Sequence, residues 1–584
     1  MVEFREGRYS LDSTLILSGI RGPKIIFRPY ENEKAIISGS KELNDFTHPD
    51  DEFLGQLAEH AKKEILQFDI GKIGLINFGL IGPRGFPMAQ QPSPMELFID
   101  DIPLNLARWP NRGYANISGV EKGRYGDQFN YSDDKISSWD TRNEIWLHGF
   151  WAVDWADSYV KIIKIDTELK AIITAKPYGT YGYIKSHRFY GLNILEELDE
   201  SGEWYFNNKR GKLLFWPPKT TDSIKVTLSV LMDPLLLIDD SEQICWRGIV
   251  FQDTRGTGIK IVNSNSIELG DLVVRNTGNR GIDINRSNDV VIHDCEIYHT
   301  GEGGVYASGG ERASLNRADI KIINNEIHHT NRWVISYSPG IQIDGVGQVI
   351  RNNFIHDIPH MAIRFSGNNH IIDYNEISGI GFETGDAGAI YTGRDWTMRG
   401  TMIRYNYLHD IQSKYYRGMA GIYLDDFGSG ALIEGNIFRN IQTGIILGGG
   451  RDNIINNNIF DLVKSIPVRV EVRLTKGTNI EGQMKKLLFR MPYQDSIWSL
   501  SYPELVNILE KDPYKPMNNA IENNIAINSS VIEIPDYIKS MQTFNNNETI
   551  IDSLEYPNVL SKLRKIMNEN LKDQIPLDRI GLRK

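Results

Sequence analysis

The stretch "NNEIHH", residues 324–329, recurs in altered form four more times in this sequence. The later copies are "NNFIHD" (352–357), "YNEISG" (374–379), "YNYLHD" (405–410) and "GNIFRN" (435–440). Each contains an Asn that is followed two residues later by an apolar residue. Asn is typical of tight turns, because it tolerates the left-handed backbone region and its amide hydrogen-bonds to the backbone. The stretches therefore predict one structural unit that repeats along the chain.

A second pattern alternates with the first and consists of a Gly or Ala, an aliphatic residue, an outward-pointing residue and a small or apolar residue. Its aliphatic members recur every 22 to 36 residues, at Ile259, Ile282, Val305, Ile341, Ile363, Ile390, Ile422 and Ile445. Short strands that end in Asn and Gly at such intervals predict a β-solenoid. We therefore predict an all-β fold, a right-handed parallel β-helix of the pectin-lyase-like type, with coils stacked at roughly 4.8 Å.

The Asn residues of the first pattern share one position of the repeat and form a ladder along the solenoid axis. Its members are Cys295, Asn325, Asn353, Asn375, Asn406, Asn436 and Asn458. We predict that this Asn ladder is structural. His328, His356 and His409 each follow a ladder Asn by three residues and are repeat positions too. We therefore predict no metal site and no cofactor.

The composition narrows the class of partner. The net charge of −11 and the pI near 5.7 leave no basic field that would neutralise phosphates, so we predict no nucleic-acid partner. The sequence contains no run of 18 apolar residues, so we predict no membrane span. The charged residues 1–9 do not resemble a signal peptide. Cys245 and Cys295 are the only cysteines, which excludes a disulfide framework. Compartment and oligomeric state stay open.

Interruptions of the repeat divide the chain into six predicted segments. They are N-terminal β-helix coils (1–75), an inserted β-rich, β-sandwich-like domain (76–225), the main β-helix with a cleft (226–465), a loop and helical insertion (466–516), the last coils (517–550) and a capping tail (551–584). Within the insertion, "YPELVNILEKD" has the spacing of a short amphipathic helix.

Coil lengths predict where the cleft lies. The distance from ladder Asn to the next strand is 9 or 10 residues in plain coils, but 15 or 16 before Ile341, Ile390 and Ile422. Long loops on a rigid scaffold usually carry function. The outward positions beside these loops read Gln342, Arg364, Tyr391 and Tyr423, then Asp344 and Asp425 in a parallel row. Aromatic rings can pack on the C–H face of a sugar, and neighbouring polar side chains can hydrogen-bond to its hydroxyl groups. We therefore predict a carbohydrate substrate.

The cleft coils also carry candidate catalytic groups. Hydrolysis of a glycosidic bond generally needs two carboxyl groups, one that donates a proton and one that acts as nucleophile or base. The candidates are Asp344, Asp386, Asp395, Asp425 and Asp426.

Three stretches resemble a known family: "GDAGAIYTGRDWTMRGTMIRYNYLHDI" (385–411), "GIYLDDFGSG" (421–430) and "GGGRDNIINNNIF" (448–460). They are similar to the core of right-handed β-helix enzymes of glycoside hydrolase family 141, which is associated with α-L-fucosidase and xylanase activities on plant cell-wall polysaccharides. A more distant resemblance is to family 120 β-xylosidases, whose nucleophile corresponds to the first Asp of "YLDD".

The resemblance implies two catalytic aspartates about forty residues apart, which fits Asp386 with Asp425 or with Asp426. Alternation along the strand points Asp425 outward, so we favour Asp386 with Asp425; Asp395 with Asp425 is the second pair. Fully extended strands would hold Asp386 and Asp425 roughly 20 Å apart. The favoured pair therefore requires "GDAG" to fold back over the sheet, and two glycines make that turn feasible.

The other polar and aromatic residues of these motifs are candidates for substrate binding. They are Arg364, Tyr391, Arg394, Asp395, Trp396, Tyr423 and Asp426. The arginines offer planar forks for carboxylates or sugar oxygens, and the aromatic residues offer faces for sugar rings. The leading prediction is a glycoside hydrolase. A polysaccharide lyase on the same fold and a non-catalytic carbohydrate-binding solenoid remain alternatives.

Overall fold

The computed structural model describes residues 1–75, 81–218, 224–473, 478–551 and 575–583. Within them the chain winds through three long sheets in turn, and every neighbouring pair of strands in these sheets is parallel. Sheets 1 and 2 have 13 strands each and sheet 3 has 12. The predicted all-β parallel solenoid is therefore confirmed.

Each of the three sheets takes its strands from successive coils of the solenoid. Sheet 1 contains Val2–Phe4, Ile25–Pro29, Glu242–Arg247, Asn265–Gly270, Asn288–His293, Lys321–Ile323, Val349–Arg351, Ile371–Asp373, Met402–Arg404, Leu432–Glu434, Ile454–Asn456, Ala520–Glu522 and Thr543–Asn545. Sheet 2 contains Gly7–Ser10, Ala35–Ser38, Val250–Thr254, Val273–Thr277, Glu296–Tyr298, Glu326–His328, Phe354–Ile358, Glu376–Ile380, Tyr407–Ile411, Ile437–Ile441, Ile459–Asp461, Ile525–Ile527 and Glu548–Ile550. Sheet 3 contains Leu15–Ser18, Leu236–Asp239, Ile259–Val262, Ile282–Asn285, Val305–Gly309, Ile341–Gly345, Ile363–Phe365, Ala387–Gly393, Met419–Asp425, Thr443–Gly448, Val468–Glu471 and Ile532–Glu533.

The core follows from the second sequence pattern. Its eight aliphatic residues, from Ile259 to Ile445, pair directly with one another on successive strands of sheet 3. Each is at most 1% exposed. Burial of such a side chain contributes about 1.5–3 kcal/mol, so the stack of aliphatic residues holds the coils together.

The Asn ladder is a continuous line of buried hydrogen bonds. The Oδ1 atom of Asn375 accepts from the backbone N–H and from the side-chain amide of Asn353, at 3.0 and 2.9 Å. Asn406 makes the same contacts with Asn375, and the series continues to Asn524. The left-handed backbone belongs to the residue before each ladder Asn, for example Tyr374 with φ 59°. The ladder is structural, as predicted.

Strands outside the solenoid form three further sheets, which are antiparallel except where Asn105–Leu106 pairs in parallel with Glu203–Asn207. Their strands are Ser40–Glu42, Leu66–Asp69, Leu97–Ile99, Ile102–Pro103, Asn105–Leu106, Arg108–Trp109, Ala115–Asn116, Gln128–Asn130, Trp146–Phe150, Ser158–Asp166, Ala171–Thr174, Arg188–Leu192, Glu203–Asn207, Lys212–Phe215 and Val226–Ser229. Ser40–Glu42 pairs with Val226–Ser229 and closes the inserted unit at its base. These strands extend beyond the range 76–225 on both sides.

The loop and helical insertion that interrupts the solenoid is shorter than the predicted range 466–516, because residues near its predicted start form the sheet 3 strand Val468–Glu471. The α-helices Ile480–Leu488 and Ser496–Ser501 follow. The helix predicted for "YPELVNILEKD" is wrong: the segment forms two 3₁₀ turns, Pro503–Leu505 and Ile508–Glu510. Leu505 ends the first turn and Ile508 begins the second, and both side chains are fully buried.

Two short α-helices, Asp51–Leu54 and Asp536–Lys539, complete the described α-helices. Further 3₁₀ helices span Ile70–Ile73, Asp134–Ser138, Leu195–Glu197 and Leu577–Arg579. Most of the predicted capping tail lies outside the described residues. Of its described part, Ile575 packs with Ile437, Ile459 and Ile525 of sheet 2. Among the described helices, none is long and apolar enough to cross a membrane.

Candidate active site

A cavity of about 640 Å³ lies between the outer face of sheet 3 and the inserted unit. Its floor contains Arg364, Tyr391 and Tyr423, which are direct neighbours on three successive strands. Because neighbouring strands are about 4.8 Å apart, the three side chains form a continuous row. The cavity lies where the long coils predicted it.

Asp425 ends the strand Met419–Asp425 and faces this cavity. Its Oδ2 accepts a hydrogen bond from the Tyr391 hydroxyl at 2.9 Å. Its Oδ1 accepts from the backbone N–H of Asp426 at 2.8 Å and from the Arg473 guanidinium at 2.6 Å. All three partners are donors, which suits an ionised carboxylate because it can only accept. The carboxylate is thus oriented on both oxygens.

Asp386 lines the same cavity and lies immediately before the sheet 3 strand Ala387–Gly393. Within that strand Gly388 pairs with Ala420, yet a β-carbon on Gly388 would lie 2.6 Å from the Tyr423 β-carbon, so the two neighbouring strands bend here. Only Gly permits so close an approach. Asp386 itself has a left-handed φ of 54°. The predicted fold-back over the sheet is thus replaced by a bend between paired strands, and Asp386 and Asp425 line one cavity.

The surroundings of Asp386 differ from those of Asp425. Its closest charged partner is Arg417, with Nε 3.5 Å from Oδ1. Burial raises the pKa of the Asp386 carboxyl above its ordinary value; Arg417 opposes this shift and the charge of Asp425 adds to it. Burial disfavours the charged form of a carboxyl group.

Ion pairs connect the two aspartates. From Asp386 the chain of contacts runs through Arg417 to Glu471 at 2.5 Å, then to Arg473 at 2.9 Å and on to Asp425. Beside it, Asp426 accepts from the Arg394 guanidinium at 2.6 Å. This network fixes the relative positions of all the carboxyl groups on this side of the cavity.

The sequence analysis missed Arg417, Glu471 and Arg473. The signal for the last two was available, because Val468 follows Ile445 by 23 residues, a spacing already seen between earlier coils. Val468 pairs with Ile445 in sheet 3, and Glu471 and Arg473 follow it on the same coil. Pro467 in place of the usual Gly concealed this coil.

The inserted unit contributes most of an aromatic wall, which consists of Phe86, Trp155, Tyr181 and Tyr337, all lining the cavity. The Trp155 ring lies 5.4 Å from Phe86 and 5.3 Å from Tyr181, centroid to centroid. Tyr337, from the solenoid, joins this cluster at 4.9 Å from Phe86. No repeat pattern pointed to these residues.

A buried carboxylate fastens the wall to the solenoid. Asp157 is fully buried and accepts from the backbone N–H groups of Ile335 and Ser336 at 3.2 and 2.8 Å. It also contacts the His148 ring at 2.9 Å. The loop before Ile341 is thus tied to the inserted unit, which sets the width of the cavity.

Two predicted substrate-binding residues do not reach the cavity. Asp395 is 2% exposed and accepts from the backbone N–H and the hydroxyl of Thr397, at 2.8 and 2.6 Å. Trp396 is fully buried and packs with Phe427 and Trp498 under the helical insertion. Both residues stabilise the loop after Gly393, so substrate contact by Asp395 or Trp396, and the pair Asp395 with Asp425, are excluded. Arg364, Tyr391, Arg394, Tyr423 and Asp426 do line the cavity.

In the described part of the chain, one group of three side chains could offer ligand atoms to a metal ion: Glu326, His328 and His356, on the outer face of sheet 2. The two imidazole rings stack at 4.8 Å. His356 contacts Glu326 at 3.1 Å and Asp357 at 2.8 Å, so carboxylates already occupy both ring nitrogens. The group is separate from the cavity, and the absence of a metal site stays a prediction.

Comparisons with known proteins agree on the architecture. Residues 315–468 match a protein family described as "Right handed beta helix region". The fold is a right-handed parallel β-helix. A search of curated proteins finds no match.

Among solved structures, one titled "Glycoside hydrolase" aligns with a TM-score of 0.61 at 14% identity, over 79% of this chain and 88% of that one. A structure titled "The complex structure of XylC with xylose" aligns with a TM-score of 0.49 at 11% identity, over 93% and 80%. A mannuronic acid specific family 6 polysaccharide lyase from human gut microbiota aligns with a TM-score of 0.34 at 16% identity, over 60% and 91%. At these identities the likeness concerns the fold alone.

Proposed function

We propose that the protein is a glycoside hydrolase that acts on a plant cell-wall-type polysaccharide or oligosaccharide, in keeping with the resemblance to families 141 and 120. One observation carries the proposal: Asp386 and Asp425 line one cavity in different electrostatic surroundings. Pairs of carboxyl groups whose environments separate their protonation states are the usual acid and base of glycosidases.

Asp386 is the general acid. Burial raises its pKa, which favours the protonated form that donates to the leaving oxygen. Asp425 is the nucleophile or general base. Arg473, Tyr391 and the N–H of Asp426 hold its carboxylate in one orientation, leaving it to act on the anomeric carbon or on a water molecule.

The aromatic wall and part of the floor bind the sugar. The aromatic wall offers ring faces to the apolar side of a pyranose, and Tyr423 lies beside Asp425 on the floor. Arg394 acts indirectly: its guanidinium orients Asp426, which itself borders Asp425.

A lyase would need a base that removes a proton next to a uronate carboxylate. Tyr391 and Tyr423 are cavity residues of a suitable type, but Tyr391 donates its own proton to Asp425, and burial raises the pKa of Tyr423 above its ordinary value. Burial, followed by the charge of Asp425, raises the Tyr391 pKa well above its ordinary value, which disfavours the deprotonated form. This contact favours hydrolysis over elimination.

The test is a panel of aryl glycosides and plant polysaccharides, assayed with the wild-type protein, Asp425→Asn and Asp386→Asn. We expect each variant to lower kcat by roughly 10³-fold, because each removes a group needed for bond cleavage. The matched control is Asp344→Asn. Asp344 occupies the same outward row of sheet 3 and accepts from the next N–H at 2.8 Å, as Asp425 does, but lies outside the cavity.

Reducing sugar without an unsaturated product supports hydrolysis. An unsaturated, ultraviolet-absorbing product would identify a lyase, and binding without any product would identify a carbohydrate-binding solenoid. Full activity in Asp425→Asn would overturn the assignment of the nucleophile.

A further inference from the structure

The cavity differs in charge from the rest of the molecule. Although the chain has a net charge of −11, six arginines line the cavity beside four acidic residues. Of these acids, Glu302 is buried and Asp386 is half-buried, and burial raises the pKa of both carboxyl groups. The charge that a bound molecule meets therefore depends on which of these arginines lack a partner in the protein.

Five of the six arginines have protein partners. Arg394, Arg417 and Arg473 bind the carboxylates of the ion-pair network. Arg280 pairs with Asp283 at 2.7 Å, and Arg84 donates to backbone carbonyls.

Arg364 is different. Within the described residues its guanidinium makes no hydrogen bond and no ion pair; its one contact is with the face of the Tyr337 ring, 5.6 Å from the centroid. The side chain is half-buried in the cavity. A partly desolvated charge without a partner is costly, and such a cost is retained where a ligand supplies the partner.

The position of Arg364 relates it to the bond that is cleaved. It pairs with Tyr391 on the next strand of sheet 3, and Tyr391 pairs with Tyr423 on the strand that carries Asp425. Two strand spacings amount to about 10 Å. A group bound by Arg364 therefore belongs to the substrate beside the scissile linkage and not to a remote surface.

We propose that Arg364 binds the carboxylate of a uronic acid residue, so that the substrate is an acidic glycan. This inference rests on the proposed function for the identity of the site. A carboxylate matches the planar fork of a guanidinium with two parallel hydrogen bonds, and Tyr337 behind the guanidinium holds that plane in place. A sulfate ester offers the same charge in a tetrahedral shape.

The experiment uses polysaccharides in matched pairs that differ only in the carboxyl group. Glucuronoxylan and polygalacturonan are each compared with their carboxyl-reduced forms, and a sulfated galactan represents the other anion. Cleavage is measured as kcat/KM for the wild-type protein, Arg364→Met, Arg364→Lys and the control Arg280→Met. Binding of glucuronate and galacturonate oligosaccharides to Asp425→Asn, with and without Arg364→Met, is measured by calorimetry.

We expect the wild-type protein to prefer one acidic polymer over its reduced form by roughly tenfold or more, and Arg364→Met to abolish that preference. Arg364→Lys should retain part of it, because it keeps the charge and loses the fork. Arg280→Met should keep the preference, because Asp283 already neutralises Arg280.

Equal losses on acidic and reduced polymers in Arg364→Met would overturn the inference while leaving hydrolysis intact, and so would a preference for the sulfated galactan. Absence of cleavage together with Arg364-dependent binding of uronate would instead overturn the proposed function and leave the inference standing.

Discussion

At the residue scale, the candidate site contains two carboxyl groups, those of Asp386 and Asp425, to which we assign different roles. The family resemblance pointed to Asp386 and Asp425, but nothing in the sequence pointed to their surroundings. The strands bend at Gly388 beside Tyr423, and the ion pairs through Arg417 and Arg473 come from residues of nearby coils that lie outside the motif. The difference between the two carboxyl groups is therefore a property of the assembled cavity.

The raised pKa of Asp386 predicts how activity and stability depend on pH. As the general acid it must be protonated, so kcat/KM falls as pH rises through its raised pKa. The native state also holds this proton more tightly than the unfolded chain, whose Asp titrates near about 3.9. The free energy of unfolding therefore falls as pH rises from about 4 through the raised pKa.

Asp386→Asn should remove the fall in the free energy of unfolding that the wild-type protein shows as pH rises. Thermal unfolding of the wild-type protein and of the variant, measured across the pH range, tests this expectation. The variant should be more stable than wild type above the raised pKa, with the difference vanishing below about pH 4. Asp344→Asn is the control and should follow the wild-type curve. Parallel curves for Asp386→Asn and wild type would contradict the assignment.

At the element scale, the strands are short and depend on their neighbours along the axis. Most have three to six residues, too few to be stable alone, so the ladders that join coils specify the fold. The Asn ladder satisfies buried amides at each turn, and the aliphatic stack fills the interior. Both are periodic in sequence, which is why the strands of the main coils were predictable, whereas the Val468–Glu471 strand, introduced by Pro467, was not recognised.

Asn406→Ala should destabilise the solenoid by roughly 2–4 kcal/mol. The Oδ1 of Asn406 accepts from the buried N–H of Asn375, which would be left without a partner, and from its side-chain amide, which would keep only its bonds to backbone carbonyls. The substitution also removes the bond from the Asn406 amide to Asn436. The shift in the denaturant midpoint measures the loss. Asn545→Ala, an exposed Asn near the end of sheet 1, should change stability by less than about 0.5 kcal/mol. Equal shifts would show that the ladder contributes nothing specific.

At the scale of the whole molecule, the cavity exists because two parts of the chain meet. The solenoid supplies the floor and both aspartates, and the inserted unit supplies Phe86, Trp155 and Tyr181 as the opposite wall. Asp157 holds the two together through backbone N–H groups of the loop at 335–336. The proposed sugar contact therefore depends on residues that lie more than two hundred positions before Asp386 in the sequence.

Trp155→Ala should raise KM by roughly tenfold and leave kcat within about twofold, because the ring contacts the sugar and does not take part in proton transfer. Steady-state kinetics on the substrate identified by the panel measures both constants. Tyr125→Ala, at a ring that is 75% exposed, is the aromatic control and should change neither. A fall in kcat with an unchanged KM would contradict the proposed role of the wall.

The sequence by itself determined the parallel β-helix, the structural role of the Asn ladder and the coils beside which the cavity lies. These follow from periodicity, and periodicity is local information. It also singled out Asp386 and Asp425, and five of its seven candidate binding residues line the cavity.

Only the tertiary structure decided which of the motif's polar residues line the cavity. Asp395 and Trp396 stand beside Arg394 in sequence, yet packing against Thr397 and the helical insertion buries them. Arg417, Glu471, Arg473 and the aromatic wall belong to the site through contacts that span separate coils and the inserted unit. Such contacts depend on how loops pack across a surface, and loop packing has no period that a sequence pattern can display.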